Sequence, residues 1–472
     1  MNRAELKQAL LRGGLYLSLR QALTMVLSMT SVLVITRTLG PEHYGWVVIA
    51  ISFNILMTNL ADLGLKVYLI RKPGDCPKQL QQEVLALLII TGTTLALSCV
   101  LTAPLIAVWT KIPELRLILL AMAPAILIDT CVGAPLGMLE RTLQYQRSSF
   151  TEIGSLLLYY AAAIPLVLLG WDVWGIVVAH LLRSILQALI AFVSYPIRPI
   201  YPKTFKELQR ALYYGIGFSG AMWIVQGRGL IIPLLLGRFI GTEAVGLVGA
   251  TNRIADMLAF VKAIAWQLGI SGFAKLQEDP SAMRNALSRS MTYQTFLLLP
   301  PLGLFTCLSP ILVPLVLGHQ WNGIIDLFPF VAFVFLMKGV FDLHALVLFS
   351  MGRNLDVFTF NLVSLGIISS AIALLGNSLH IWGYAAAEII SLVAFVLLHL
   401  RISRVIGSPS YKPVVWIIIC TLFPFLMGNR FPFFISVPLL LAGFGIASWL
   451  SREVRTTGRE LLAILTQKVR PT

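Results

Sequence analysis

Fourteen apolar runs of spanning length, joined by short polar connections, leave this chain few folds to choose from. They fall at about 14–36, 45–65, 84–109, 116–138, 151–170, 173–195, 214–236, 245–267, 291–317, 324–349, 357–376, 381–400, 413–428 and 433–450. About 20 consecutive apolar residues is what a helix needs to cross the hydrocarbon layer. The expected fold class is therefore all-α: a polytopic membrane protein of about 14 transmembrane helices. A composition of 57% hydrophobic and 12% charged residues over 472 positions is too apolar for a soluble globular chain.

Arg3, Lys7 and Arg12 ahead of the first run imitate a signal peptide, but that run is about 20 residues long and lacks a small-residue cleavage site. It is expected to stay as the first span. The formal charge of +15 would point to nucleic acid in a soluble chain; here its distribution decides otherwise. Of 36 Lys and Arg, 25 fall in one alternate set of connections together with both termini, and five (Arg37, Lys111, Arg116, Arg238 and Arg430) in the other. By the positive-inside rule both termini are cytoplasmic, and a nucleic-acid partner is not expected. Five scattered cysteines imply neither a disulfide framework nor a metal site.

One short stretch is written twice. RTLGPEHYG, Arg37 to Gly45, returns as RFIGTEAVG, Arg238 to Gly246, with Arg37/Arg238, Gly40/Gly241, Glu42/Glu243 and Gly45/Gly246 all 201 residues apart. Each copy joins two apolar runs, so each reads as a tight exterior hairpin tip. Gly40 suits a left-handed helix cap, Pro41 the first turn of the next helix, and Glu42 that helix's positive end, with Arg37 as its pairing partner. Thr242, in place of Pro41, can cap with its hydroxyl. Six crossings separate the copies, which makes the duplication a parallel repeat about an axis along the membrane normal. The expected parts are an N-terminal lobe at 1–195 (spans 1–6), a cytoplasmic amphipathic linker at 196–212, a C-terminal lobe at 213–402 (spans 7–12), and spans 13–14 with a basic tail at 403–472.

The first copy, with its Leu-Gly-Pro-Glu run and closing Tyr-Gly, resembles the signature of the bacterial oligosaccharide flippases, the polysaccharide-transport branch of the multidrug/oligosaccharidyl-lipid/polysaccharide exporter superfamily. ADLGL at 61–65, LERTLQYQRSSF at 139–150, HQWNG at 319–323 and SMGRN at 350–354 are similar pieces in family order, and the resemblance covers roughly residues 10–400. The second copy lacks the Pro and Tyr, so the likeness rests on the first. It implies a flippase for an undecaprenyl-pyrophosphate-linked oligosaccharide in a bacterial inner membrane, with membrane lipids and other polysaccharide-assembly proteins as its surroundings.

No HExxH, GxSxG, P-loop or paired loop carboxylates appear, the six histidines are scattered, and the exterior loops are too short for a catalytic domain. An enzyme, a cofactor and a metal are therefore not expected. The informative residues are charges inside spans, each costing ~2.5 to 3.5 kcal/mol or more at the bilayer centre unless it finds a cavity or a partner. They are Arg20, Arg183, Arg228, Arg253, Lys262 and Lys338 among the bases, and Asp62, Asp129, Glu152 and Glu388 among the acids. Arg253/Asp256 and Lys338/Asp342 sit at helical spacing and are expected to pair or to meet substrate. Arg20, Arg228 and Arg253 are the candidate phosphate-binding residues, and Asp129 and Glu388 the candidates for a coupling cation. A cation-coupled multidrug exporter would prefer an acidic chamber, and a glycan polymerase or ligase would need larger exterior loops.

Overall fold

The structure, a computed structural model, describes the backbone of residues 3–200 and 205–467. Side chains are described from Leu33 onward together with Leu27, apart from 205–208, 217, 218, 221, 222, 268, 270, 271, 461, 462 and 464–467. The chain forms two compact units, Met1–Gly246 and Leu247–Thr472.

The first unit holds α1 (Arg3–Asp62), α2 (Leu65–Arg71), α3 (Lys78–Thr110), α4 (Glu114–Arg141), α5 (Tyr145–Leu166), α6 (Asp172–Ser194) and α7 (Phe205–Phe239), and α8 (Thr242–Leu258) begins in it. The second continues with α9 (Val261–Ala274), α10 (Pro280–Val316), α11 (Gly323–Ser350), α12 (Asn354–Leu379), α13 (Ile381–Ser391), α14 (Phe395–Ile406), α15 (Lys412–Met427), α16 (Phe433–Leu450) and α17 (Arg452–Gln467). No strand occurs among the described residues. That is the all-α architecture expected of apolar segments that must satisfy their own backbone hydrogen bonds.

Ten segments among the described residues are long and apolar enough to cross a membrane, or 11 if the bent pair α8/α9 counts as one span. The sequence led us to expect 14. The difference lies partly in segmentation: Tyr145–Ser194, taken as one 50-residue segment, contains both α5 and α6, and the first expected run lies mostly where side chains are not described.

Small side chains let the helices of the first unit approach closely. Ile35, Leu39, Val47 and Phe53 of α1 pack with Cys99 and Ala103 of α3, Met122 and Ile126 of α4, and Ala163, Ile176 and Ala179 of the α5–α6 hairpin. In the second unit Met283, Leu287 and Met291 of α10 join Val340, Leu346 and Val347 of α11 and Phe395 and Leu398 of α14.

Local turn geometry recurs beyond the nonapeptide. After α4 the Thr142 and Gln144 amides donate to the Met138 and Leu139 carbonyls, and after α11 those of Met351 and Arg353 donate to Val347 and Leu348, the same pattern 209 residues later. Leu143 and Gly352 hold the positive-φ position of these two caps. Between α5 and α6, Asp172 sits at φ 53, ψ −134; between α12 and α13, His380 sits at φ 51, ψ −130, 208 residues later. Three residues on, Gly175 presses on Leu166 and Gly383 on Leu375, where any Cβ would collide.

Candidate functional site

The two motif copies meet inside the first unit. Gly40 lies at φ 74, ψ 170, a region essentially reserved for glycine, so it is an extended positive-φ turn rather than the left-handed cap the sequence led us to expect. Pro41 opens the helix after the kink, as expected. Gly241 also has positive φ, at 121°. The closing glycines do something else. A Cβ on Gly45 would lie 2.3 Å from the Thr242 carbonyl oxygen, and one on Gly246 would lie 1.8 Å from that of Pro41. Because 41 corresponds to 242 and 45 to 246, the contact is reciprocal, as across a two-fold axis. The Thr242 hydroxyl, expected to cap its own helix, donates to Glu42 Oε1 at 3.4 Å. Arg37 and Glu243 are exposed and Arg238 is half-buried. On the same tip, His43 Nδ1 lies 2.7 Å from Asp172 Oδ2 of the α5–α6 turn.

Asp129 does not stand alone in the first unit. Its Oδ2 lies 3.9 Å from Nε2 of the buried His180 on α6, which in turn lies 3.4 Å from Oδ1 of Asn54 on α1. The Asn54 amide reaches the Met122 carbonyl of α4 at 3.4 Å, and the Arg183 charge acts on both Asp129 and His180. A carboxylate, an imidazole, a carboxamide and a guanidinium from three helices thus gather within spanning segments. The histidine that looked isolated in sequence is at the centre.

The second unit holds the larger network. Lys338 Nζ on α11 donates to Glu388 Oε2 on α13 at 2.9 Å, Glu388 Oε1 accepts from the Tyr384 hydroxyl at 3.0 Å, and the Asn252 amide of α8 donates to that hydroxyl at 3.3 Å. Lys262 Nζ on α9 lies 3.2 Å from Asp342 Oδ2. Phe335 sits beneath both ammonium groups, 5.4 Å from Lys262 and 5.8 Å from Lys338. Asp256 feels the charges of Lys262, Arg253 and Lys338. Helical spacing matched Lys338 to Asp342; the structure instead carries Lys338 across to Glu388 and gives Asp342 to Lys262. The physical reason is that a long lysine stem reaches a neighbouring helix, where one bridge offsets part of the burial cost of both charges and ties two elements together.

Of the three candidate phosphate-binding arginines, the Arg20 side chain lies outside the described residues. Arg228 is half-buried on α7 in the first unit, and Arg253 is exposed on α8 in the second, beside Asp256. Sequence reasoning missed Asn54, His180, Asn252 and Tyr384. The available signal was Tyr384 and Glu388 at i,i+4, which places a hydroxyl beside a carboxylate on one helix face.

Residues 34–326 match the family model described as polysaccharide biosynthesis protein. The succinoglycan biosynthesis transport protein ExoT of Rhizobium meliloti (strain 1021) is 24% identical over 63% of this chain, and the chain spans 60% of that relative's length. The lipopolysaccharide biosynthesis protein WzxC of Escherichia coli (strain K12) is 19% identical over 95% of this chain and 90% of its own. Among solved structures, the lipid II flippase MurJ in its inward closed conformation shares the fold with a TM-score of 0.71 at 12% identity, over 92% of this chain and 98% of that one. An inward-facing multidrug resistance MATE family transporter of the MOP superfamily follows at 0.66 and 14%, over 82% and 98%. The chain belongs to the polysaccharide biosynthesis protein family.

Proposed function

We propose that this protein is a flippase that carries an undecaprenyl-pyrophosphate-linked oligosaccharide from the inner to the outer leaflet of a bacterial inner membrane, for cell-surface polysaccharide such as O-antigen or exopolysaccharide. The observation that carries the reading is the Lys338–Glu388–Tyr384–Asn252 network with Lys262–Asp342 beside it, set among spanning helices. Charge inside such helices is retained where it handles a polar cargo. The fold shared with a lipid II flippase and the family match to polysaccharide biosynthesis support it.

In this reading the repeats are lobes at 1–195 and 213–402, both termini are cytoplasmic, and the lobes rock in alternating access. Arg20, Arg228 and Arg253 grip the two phosphates, because a planar guanidinium fork matches phosphate oxygens better than a point charge does. Asp129 with His180, and Glu388 with Lys338, are the groups through which a cation or proton couples to transport. The protein moves its substrate without making or breaking glycosidic bonds, and partner assembly proteins supply and consume it.

The test is glycan export in cells whose own flippase is deleted, complemented with Arg228→Ala, Arg253→Ala, Lys338→Ala or Glu388→Gln at matched membrane levels. Loss of export by the lysine variant and at least one arginine variant is expected. Normal export by all four would overturn the substrate-site assignment.

A further inference from the structure

A second polar site lies apart from these networks, on the side that the basic connections mark as cytoplasmic. The first four turns of α10, the 407–411 connection, Pro413 and α17 line an open cavity of about 700 Å³, and Arg289, Glu453 and Glu460 on its walls are exposed. α10 lines it with Arg284, Ser288 and Arg289, and α17 answers with Glu453, Thr456 and Glu460. The positions 453, 456, 457 and 460 fall on one face of α17, so the helix presents its carboxylates and hydroxyls to the cavity as a set. The Tyr293 hydroxyl donates to Glu460 and holds α17 against α10.

Two features make this more than a seam between helices. First, opposite charges face each other across the space without closing on it: among the described residues no ion pair joins Arg284 or Arg289 to Glu453 or Glu460. Two rows of opposite charge on facing helices offer an anion and a cation separate partners within one cavity. Second, an apolar groove of about 330 Å³ adjoins it, sharing Ala286 and Tyr293 and running along α10 to Leu297 between Gly269 and Phe273 of α9 and Leu343 of α11. From 286 to 297 a helix advances about 16 Å, the reach of an acyl chain into one leaflet. A polar cavity at headgroup level that opens onto an apolar groove fits an amphiphile whose head carries both signs.

We propose that this is a binding site for a zwitterionic aminophospholipid. The Arg284 and Arg289 guanidiniums donate to the phosphodiester, Glu453 and Glu460 accept from the primary ammonium, and one acyl chain lies in the groove beyond Tyr293. A quaternary ammonium cannot donate to the carboxylates, and a glycerol headgroup brings no cation. The site therefore discriminates within one family of lipids and binds independently of the transported substrate.

The experiment is native mass spectrometry of the delipidated full-length protein, titrated with palmitoyl-oleoyl phosphatidylethanolamine, phosphatidylcholine or phosphatidylglycerol. Wild type is expected to bind the ethanolamine lipid at least tenfold more tightly than the other two. Arg284→Gln/Arg289→Gln should lose that binding, and Glu453→Gln/Glu460→Gln should lower the ethanolamine lipid to the level of the glycerol lipid while leaving the latter unchanged. On wild type alone, glycerophosphoethanolamine at millimolar concentration should displace the bound lipid, a result that needs no variant to fold. Equal binding of the three lipids, preference for phosphatidylglycerol, tighter binding of undecaprenyl pyrophosphate than of phosphatidylethanolamine, or no displacement by the soluble headgroup would each overturn the assignment.

Discussion

The glycines of the repeated nonapeptide look alike in sequence and differ in what they do. Gly40 is needed for its backbone conformation, and Gly45 and Gly246 for the absence of a side chain where one tip's carbonyl presses on the other's helix. Gly246→Ala puts a methyl 1.8 Å from the Pro41 oxygen and Gly45→Ala one 2.3 Å from the Thr242 oxygen. Backbone cannot yield as a side chain can, so each should cost on the order of 1–3 kcal/mol. The yield of monodisperse protein should fall for both, whereas Gly366→Ala, which meets open space in the middle of α12, should leave yield unchanged or raise it. Equal yields for all three variants would show that the tips do not meet this closely. The four-residue match at constant offset was legible in the sequence because identity and spacing are sequence properties. That Gly45 meets Thr242 was not, because the contact spans almost 200 positions and the motif reads as a turn throughout.

At the scale of elements, short polar links set the order. Arg141, at the end of α4, donates to the carbonyls of Leu69 at 2.8 Å and Lys72 at 2.9 Å, and so closes the exposed end of α2 and the loop after it. Hydrogen bonds from a charged donor are worth about 1.5–3 kcal/mol each. Arg141→Ala should therefore free the 69–77 segment, seen as faster amide exchange there and unchanged exchange in α6. At the start of α10, Asp279 accepts from the Ala282 and Ser281 amides and the Ser281 hydroxyl, which hold its carboxyl below the ordinary value of 3.8. A depressed carboxylate adds stability above its unfolded pKa and loses it as pH falls through the folded one. Protection of the first turn of α10 should thus weaken below about pH 3.8, and Asp279→Asn should remove that pH dependence. The Asp279–Pro280 helix start was open to reading, since an N-cap and an N1 proline are local signals. The Lys338–Glu388 bridge was not, because its partners stand on different helices and Asp342 offered a nearer acid.

For the whole molecule, the fold class, the membrane-spanning character and the family were visible in apolar run lengths and one motif. The number of spans and the partners of the buried charges depend on packing that no run length encodes. Breaking the network from one side should be worse than removing it: Lys338→Ala takes the lysine from Glu388, which is 5% exposed, and leaves its carboxylate with the Tyr384 hydroxyl, at a cost of up to ~3–5 kcal/mol. Lys338→Met/Glu388→Gln should recover thermal stability without recovering export, and recovery of both would make the pair purely structural. The central claim is translocation itself. Purified protein in proteoliposomes, loaded on one leaflet with a labelled undecaprenyl-pyrophosphate oligosaccharide, should make that lipid accessible to a glycosidase from the opposite side, and Lys338→Met/Glu388→Gln protein should not. Accessibility no greater than in protein-free vesicles, from protein that is folded and monodisperse, would contradict the account.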